Sequence, residues 1–136
     1  VPITPQNKQQ LDSLVTIETL LDLEVEPSRI RVIFNMVDSD KSFEKQFISV
    51  FENKTFKSLK IKDYPIINNT ELFTYLYENE KPLASVLVDD RDFRSLMRQT
   101  TDVKEIDQLS HDRALKRLAT GVNEELATAS KKLNLR

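Results

Sequence analysis

Ile30–Val37, which reads IRVIFNMV, is the stretch that decides the fold. It is almost continuously apolar and rich in β-branched residues, which is typical of a strand buried on both faces of a parallel sheet. Residues 38–40 (DSD) should end this strand and cap a helix. Phe43, Phe47, Val50 and Phe51 then recur at helical spacing, which predicts that helix.

The flanking segments continue an alternation of strands and helices. Val1–Ile3 is expected to end a strand, and Thr4 and Pro5 are expected to open a helix that runs from Gln6 to about Leu23. After the central stretch, Phe56–Ile61 is predicted to be a strand that residues 64–67 leave as a loop. Residues 68–70 should cap a further helix. This order predicts an α/β fold with a partial open parallel sheet and flanking helices.

Beyond Pro82 the pattern is purely helical. Apolar spacing predicts a short helix around residues 93–97, the pair Asp102 and Glu105 has capping-box spacing for a second, and Ser110 is a candidate cap for a third. We therefore expect an α/β part over residues 1–88 and a helical tail over residues 89–136 that packs on it.

Composition narrows the function classes. The chain has no Cys, which excludes disulfide scaffolds and thiolate zinc sites, and no apolar run approaches the roughly 20 residues of a membrane span. A cytoplasmic protein without membrane association is expected. His111 has no neighbouring ligand cluster, so neither a metal site nor a histidine-based catalytic triad is predicted. Residues 91–136 carry ten Lys/Arg against seven Asp/Glu, whereas residues 1–90 carry ten against fifteen.

The chain has one glycine, Gly121, and begins Val1-Pro2 without Met. A complete nucleotide-binding domain needs a Gly-rich turn whose backbone amides close around phosphate. No such turn is present in the sequence. We therefore expect the chain to be a fragment of a longer protein.

Several segments resemble the ParA/MinD-like P-loop ATPases. Residues 1–5 (VPITP) with the helix QNKQQLDSLVTIETLLDL resemble the loop and helix that follow the Walker B strand. Residues 33–38 resemble the buried strand that ends in Asn, residues 63–66 the Pro-containing loop, and residues 70–88 the stretch that follows. The basic helical segments RDFRSLMRQT and LKRLATGVNEEL are most similar to those of StbB-like plasmid stability proteins.

This resemblance implies the C-terminal half of a P-loop NTPase from a plasmid partition ATPase. The complete protein would use ATP and Mg²⁺, form a homodimer, and act with DNA and a partner partition protein. The phosphate-binding Walker A segment is absent, so we expect no catalytic residue, no bound cofactor and no ATP hydrolysis by this chain alone.

Asn35 and Asp38 are the main candidate ligand-binding residues, since open α/β sheets bind ligands at the carboxyl ends of their strands. Asn can both donate and accept, so it can recognise a purine edge; the resemblance implies adenine. The Asn-x-x-Asp spacing also fits a guanine motif, although Met36 is unusual there. Alternatively, both residues close a strand and cap a helix. The resemblance further implies a base-pocket wall at Pro65 and Ile66.

Two more groups of candidates complete the prediction. By resemblance, Thr4 and Gln6 lie near a phosphate-sensing, dimer-facing edge, although helix capping alone explains Thr4 and is the favoured interpretation. Basic residues at helical spacing are candidates for binding DNA phosphates or a partner: Arg91, Arg94, Arg98, Arg113, Lys116 and Arg117. The alternative is a solvated charged face. A non-enzymatic α/β module that binds DNA or protein remains the competing hypothesis.

Overall fold

Three short parallel strands lie side by side in the computed structural model, which describes residues 1–134. The strand order is β1-β2-β3, so β2 is central, and both pairings are parallel. The predicted α/β fold with a small open parallel sheet is confirmed. The elements of this part are β1 (Pro2–Ile3), α1 (Asn7–Asp22), a 3-10 turn (Pro27–Arg29), β2 (Ile33–Val37), α2 (Phe43–Gln46), α3 (Ile48–Phe51), α4 (Lys54–Ser58) and β3 (Ile66–Asn68).

The chain forms two units. The first, which we call the sheet unit, comprises residues 1–69 together with the segment that starts at Glu125. The second, the helical unit, comprises Thr70–Glu124, so the predicted boundary after residue 88 lies inside it. The remaining helices are α5 (Leu72–Glu78), α6 (Leu83–Leu87), α7 (Phe93–Gln99) and α8 (Val103–Leu133).

The core of the sheet unit is organised around Phe34, whose side chain is fully buried. Aromatic rings surround it at centroid distances of 4.7 to 6.3 Å. Most of these contacts are edge-to-face, the geometry that the aromatic quadrupole favours. The apolar run that predicts the strand therefore also supplies the residue around which helices α2, α3 and α4 assemble. The surrounding rings are Phe43, Phe47, Phe51, Phe56 and Tyr64.

A β-bulge interrupts β2. Phe34 pairs with Ile66, and Val37 pairs with Asn68. Between these two pairs, β2 has one residue more than β3. Met36 lies in this interval with a φ of 55°, in the left-handed region. The extra residue turns the Met36 side chain outward, where it is 53% exposed.

The predicted strand at Phe56–Ile61 is wrong, because residues 54–58 form helix α4. The side chain of Asn53 caps this helix by accepting a hydrogen bond from the Phe56 amide at 3.0 Å. Phe56 and Leu59, three residues apart, are both buried, so they follow a helical rather than an alternating pattern. The third strand is the later segment Ile66–Asn68.

Three predicted helix starts also need correction. Helix α1 begins at Asn7 after Gln6, and the Thr4 hydroxyl donates to Gln9 Oε1 rather than capping it. Helix α2 begins at Phe43 after Ser42, so Asp38 does not cap it. Ser110 lies inside α8, because the last two predicted helices form one continuous helix. Pro5 likewise precedes the first helical position.

The end of α8 is tied to the sheet within the sheet unit. Glu125 Oε1 accepts hydrogen bonds from the Asn68 amide at 2.9 Å and from Asn68 Nδ2 at 2.7 Å. Lys132 Nζ lies 2.9 Å from Asp63 Oδ1. Within residues 1–134, no helix has both the length and the apolar character needed to cross a membrane.

Candidate functional sites: the carboxyl edge of the sheet and a basic pocket

The carboxyl edge of the sheet collects some of the predicted ligand-binding residues. Because the strands are parallel, they end on the same side, at Ile3, Val37 and Asn68. Thr4 and Gln6 therefore follow β1, and Asp38 follows β2, at this edge. Asn35 lies two residues before the end of β2 rather than at its end.

The Asn35 side chain stabilises the bulge. Its Oδ1 accepts a hydrogen bond from the neighbouring Met36 amide at 2.8 Å, and the residue is half-buried. Within residues 1–134, Asn35 Nδ2 donates no hydrogen bond. The carboxamide oxygen therefore bonds the backbone of the next residue, and the carboxamide NH2 group can still donate a hydrogen bond.

Asp38 makes the hydrogen bonds of a turn residue. Its Oδ1 accepts from the Asp40 amide at 3.0 Å, and its Oδ2 lies 3.4 Å from Lys41 Nζ. The side chain of Gln46 bonds both backbone groups of Asp38: Oε1 accepts from its amide at 2.9 Å and Nε2 donates to its carbonyl at 2.8 Å. The backbone at the end of β2 is thereby fixed.

Gln10 is a residue at this edge that the sequence did not single out. It is 1% exposed, and its Nε2 donates to the carbonyls of Pro5 at 2.8 Å and Gln46 at 2.7 Å. Its Oε1 is buried without a hydrogen-bond partner among the described residues. Its position in the sequence could have indicated its burial. Gln10 is four residues before Leu14 and seven before Ile17, so it lies on the buried face of α1.

Pro65 and Ile66 lie at the opposite end of the sheet from Asp38. The Pro65 carbonyl accepts a hydrogen bond from the Phe34 amide at 3.0 Å, and Ile66 is the first residue of β3. The prediction placed these residues in a loop that leaves a strand, but in the structure they lead into one. The structure therefore does not bring them together with Asp38.

A basic pocket forms in the helical unit. Its volume is about 380 Å³, and four of the six predicted basic residues line it: Arg91, Arg113, Lys116 and Arg117. The remaining lining residues are Asp90, Phe93 and Thr120. Arg94 and Arg98 do not line this pocket but lie exposed on α7.

Arg91 is held in an ion-pair network. Helix α7 begins at Phe93 after the cap Asp92, so Arg91 does not share a helical face with Arg94 as predicted. Its Nη2 lies 2.7 Å from Asp89 Oδ2 and 3.0 Å from Asp112 Oδ2. These hydrogen bonds raise the pKa of Arg91 above its ordinary value. The hydrogen bond from Arg91 lowers the pKa of Asp89 to about 2.

The other basic side chains differ in how far their charge is compensated. Lys116 Nζ donates a hydrogen bond to the Asp89 carbonyl. Arg113 and Arg117, four residues apart on α8, form no ion pair within residues 1–134. The Arg91 guanidinium carbon also lies 5.0 Å from the centre of the Phe93 ring. The positive charge available to a ligand therefore comes mainly from Arg113, Lys116 and Arg117.

The positive charge of the pocket is local. The helical unit as a whole contains eleven Asp/Glu against eight Lys/Arg, a formal charge of −3. Residues 91–136 carry an excess of basic residues, but the helical unit, which comprises residues 70–124, does not. Because the unit carries a net negative charge, an anion is not attracted from a distance. Binding of an anion therefore depends on short-range contacts with the basic side chains of the pocket.

His111 has an aromatic neighbour. Its ring centre lies 5.1 Å from that of Tyr75. Residues 1–134 contain no group of three or more His, Asp or Glu side chains that could hold a metal ion.

Comparison with known proteins returned no relative. No protein-family model matches the chain, and no significant match was found among curated proteins or solved structures.

Proposed function

We propose that the chain is a DNA-binding α/β module that contacts duplex phosphates through the basic pocket of its helical unit. The observation that carries this proposal is the convergence of Arg91, Arg113, Lys116 and Arg117 on one pocket of about 380 Å³. Arginine suits phosphate because its planar guanidinium can donate two parallel hydrogen bonds. Contacts to phosphate carry no base information, so the binding is independent of sequence.

The setting we propose follows from the resemblance in the sequence. The module is the C-terminal part of a nucleotide-dependent plasmid partition or stability ATPase related to ParA/MinD-like and StbB-like proteins. The complete cytoplasmic protein is a homodimer that uses ATP and Mg²⁺ and acts with a partner partition protein. In that arrangement the basic pocket is the part that meets DNA, and hydrolysis depends on groups outside this chain.

A salt titration of DNA binding tests the proposal. A random-sequence duplex is titrated with the unmodified chain and with the double variant Arg113→Gln/Arg117→Gln. Each lost phosphate contact should reduce the slope of log K against log salt by about 0.9, so the double variant should lose about 1.8. Affinity should fall by a similar factor for duplexes of unrelated sequence.

A matched control removes the same amount of charge elsewhere. The variant Lys8→Gln/Lys104→Gln replaces two exposed lysines that do not line the pocket. Its salt slope should match that of the unmodified chain. Equal slopes for both double variants would contradict a role for the pocket in binding phosphate.

A second candidate function is recognition of an adenine base by Asn35, which lies two residues before the carboxyl end of β2. The observation in its favour is the Asn35 side chain, whose Nδ2 donates no hydrogen bond within residues 1–134 and can donate to a ring nitrogen of adenine. Binding by this chain alone should be weak, since the phosphate-binding segment is not part of it.

Nuclear magnetic resonance can detect such weak binding. Titration of millimolar adenosine should shift the Asn35 side-chain amide resonances and those of the Met36 backbone amide. Uridine provides a control for nonspecific stacking. If the Asn35 signals respond equally to both nucleosides, or to neither, the adenine proposal fails.

A further inference from the structure

A second cavity lies in the sheet unit, next to the amino-terminal residues of β2 and β3. Its volume is about 370 Å³, which falls in the range of small-molecule sites. Its floor contains Ile30, Val32 and Leu59, which are buried at 4%, 2% and 7% exposure. Apolar side chains therefore form part of the lining of this cavity.

Basic residues also line this cavity. Arg31, Lys60, Lys62 and Lys132 contribute four positive charges, and Asp63 contributes the one negative charge among the lining residues. Asp63 is paired with Lys132 at 2.9 Å. Arg31 Nη1 donates to the Ser28 carbonyl. Within residues 1–134, Lys60 and Lys62 form no ion pair.

Backbone hydrogen bonds hold the chain at both ends of the segment that carries these lysines. Lys60 has a φ of 51°, and its amide donates to the Lys57 carbonyl at 3.1 Å, which ends α4. Five residues later the Pro65 carbonyl is held in the sheet by the Phe34 amide. Lys60 and Lys62 both line the cavity together with the apolar floor residues.

We propose that this cavity binds a small organic anion. Its apolar body contacts Ile30, Val32 and Leu59, and its anionic group is bound by Lys60 and Lys62. The combination of apolar and basic lining residues selects a molecule that has both parts. This site is separate from the basic pocket, so its existence does not depend on DNA binding.

Fluorescence titration with 1-anilinonaphthalene-8-sulfonate provides the first test, because this probe joins an aromatic body to one sulfonate. The variant Lys60→Gln/Lys62→Gln should bind the probe about tenfold more weakly, since it loses hydrogen bonds to a charged group. The control Lys54→Gln/Lys57→Gln removes two exposed charges from α4, outside the cavity. It should bind like the unmodified chain.

A neutral probe and resonance mapping complete the test. N-phenyl-1-naphthylamine lacks the sulfonate and should bind equally to the unmodified chain and to Lys60→Gln/Lys62→Gln. With the sulfonate probe, backbone amide shifts should concentrate on Ile61 and Lys62. Equal affinities for all variants, shifts centred on Thr120 in the basic pocket, or no binding of the sulfonate probe would each overturn the proposal.

Discussion

Met36 adopts a backbone conformation that L-residues other than Asn and Asp rarely use. Its φ of 55° brings Cβ close to the following carbonyl, which costs about 1–2 kcal/mol. The bulge in β2 imposes this conformation, and the hydrogen bond from the Met36 amide to Asn35 Oδ1 helps to maintain it. Because Met36 is 53% exposed, its side chain contributes little packing in return.

Glycine should relieve this strain. We expect Met36→Gly to be more stable than Met36→Ala by about 0.5–1 kcal/mol, because Ala keeps the strained Cβ and Gly removes it at a smaller entropic cost. Urea denaturation of the two variants measures the difference. A less stable Gly variant would mean that the bulge imposes no strain on residue 36.

Gln10 illustrates why individual residues at the candidate site escaped prediction. A glutamine on a helix is normally exposed, and nothing in the local sequence indicates that two carbonyls 5 and 36 residues away need a donor. The local hydrogen bonds of Asn35 and Asp38 were easier to predict, because Asn and Asp commonly bond nearby backbone amides. The alternative that these two residues serve local structure rather than a ligand followed from their residue types alone.

The elements were predictable where the apolar pattern was long. The eight-residue run ending at Val37 identified β2, and the spacing of Leu14 and Ile17 identified α1. In contrast, β3 has only three residues, too few to show a period. The segment Phe56–Ile61 was misinterpreted as a strand, whereas Asn53 caps a helix over residues 54–58.

Substitution of Gly121 tests whether helix α8 is continuous through this residue. It lies inside α8, it is exposed, and an added Cβ would meet no atom within 4 Å. Gly121→Ala should therefore raise the free energy of unfolding by about 0.5–1 kcal/mol, because alanine loses less backbone entropy in a helix. Thermal or urea denaturation measures this gain. A destabilised variant would indicate that α8 is not continuous through residue 121.

For the whole molecule, charge is nearly balanced at neutral pH, with a formal value of −2. The basic pocket within an acidic unit could be predicted only in part. The helical spacing of Arg113, Lys116 and Arg117 placed them on one face, but the partners of Arg91 depend on tertiary structure. Asp112 is 21 residues from Arg91, a distance at which sequence spacing gives no information.

Acid should destabilise the protein partly through Asp89. Its pKa falls from 3.8 to about 2 on folding because of the hydrogen bond from Arg91. The folded state therefore binds fewer protons, so this contribution is complete above about pH 4 and is lost as the pH falls towards 2. Asp89→Asn should flatten the decline of unfolding free energy in that interval.

Denaturation curves at successive pH values measure this effect. Asp90→Asn is a suitable control, because it removes a neighbouring carboxylate that forms no ion pair with Arg91. It should leave the acid-dependent slope unchanged. The same slope for the unmodified chain and Asp89→Asn would contradict the assignment.

The sheet unit is discontinuous along the chain, since residues 1–69 are completed by the segment that starts at Glu125. Glu125 binds Asn68 across 57 positions of sequence, whereas the helical unit is formed by one uninterrupted stretch. During translation, β3 is therefore synthesised 57 residues before the carboxylate of Glu125 that binds it. Shortening or stopping the nascent chain before Glu125 should leave β3 without the carboxylate that anchors it.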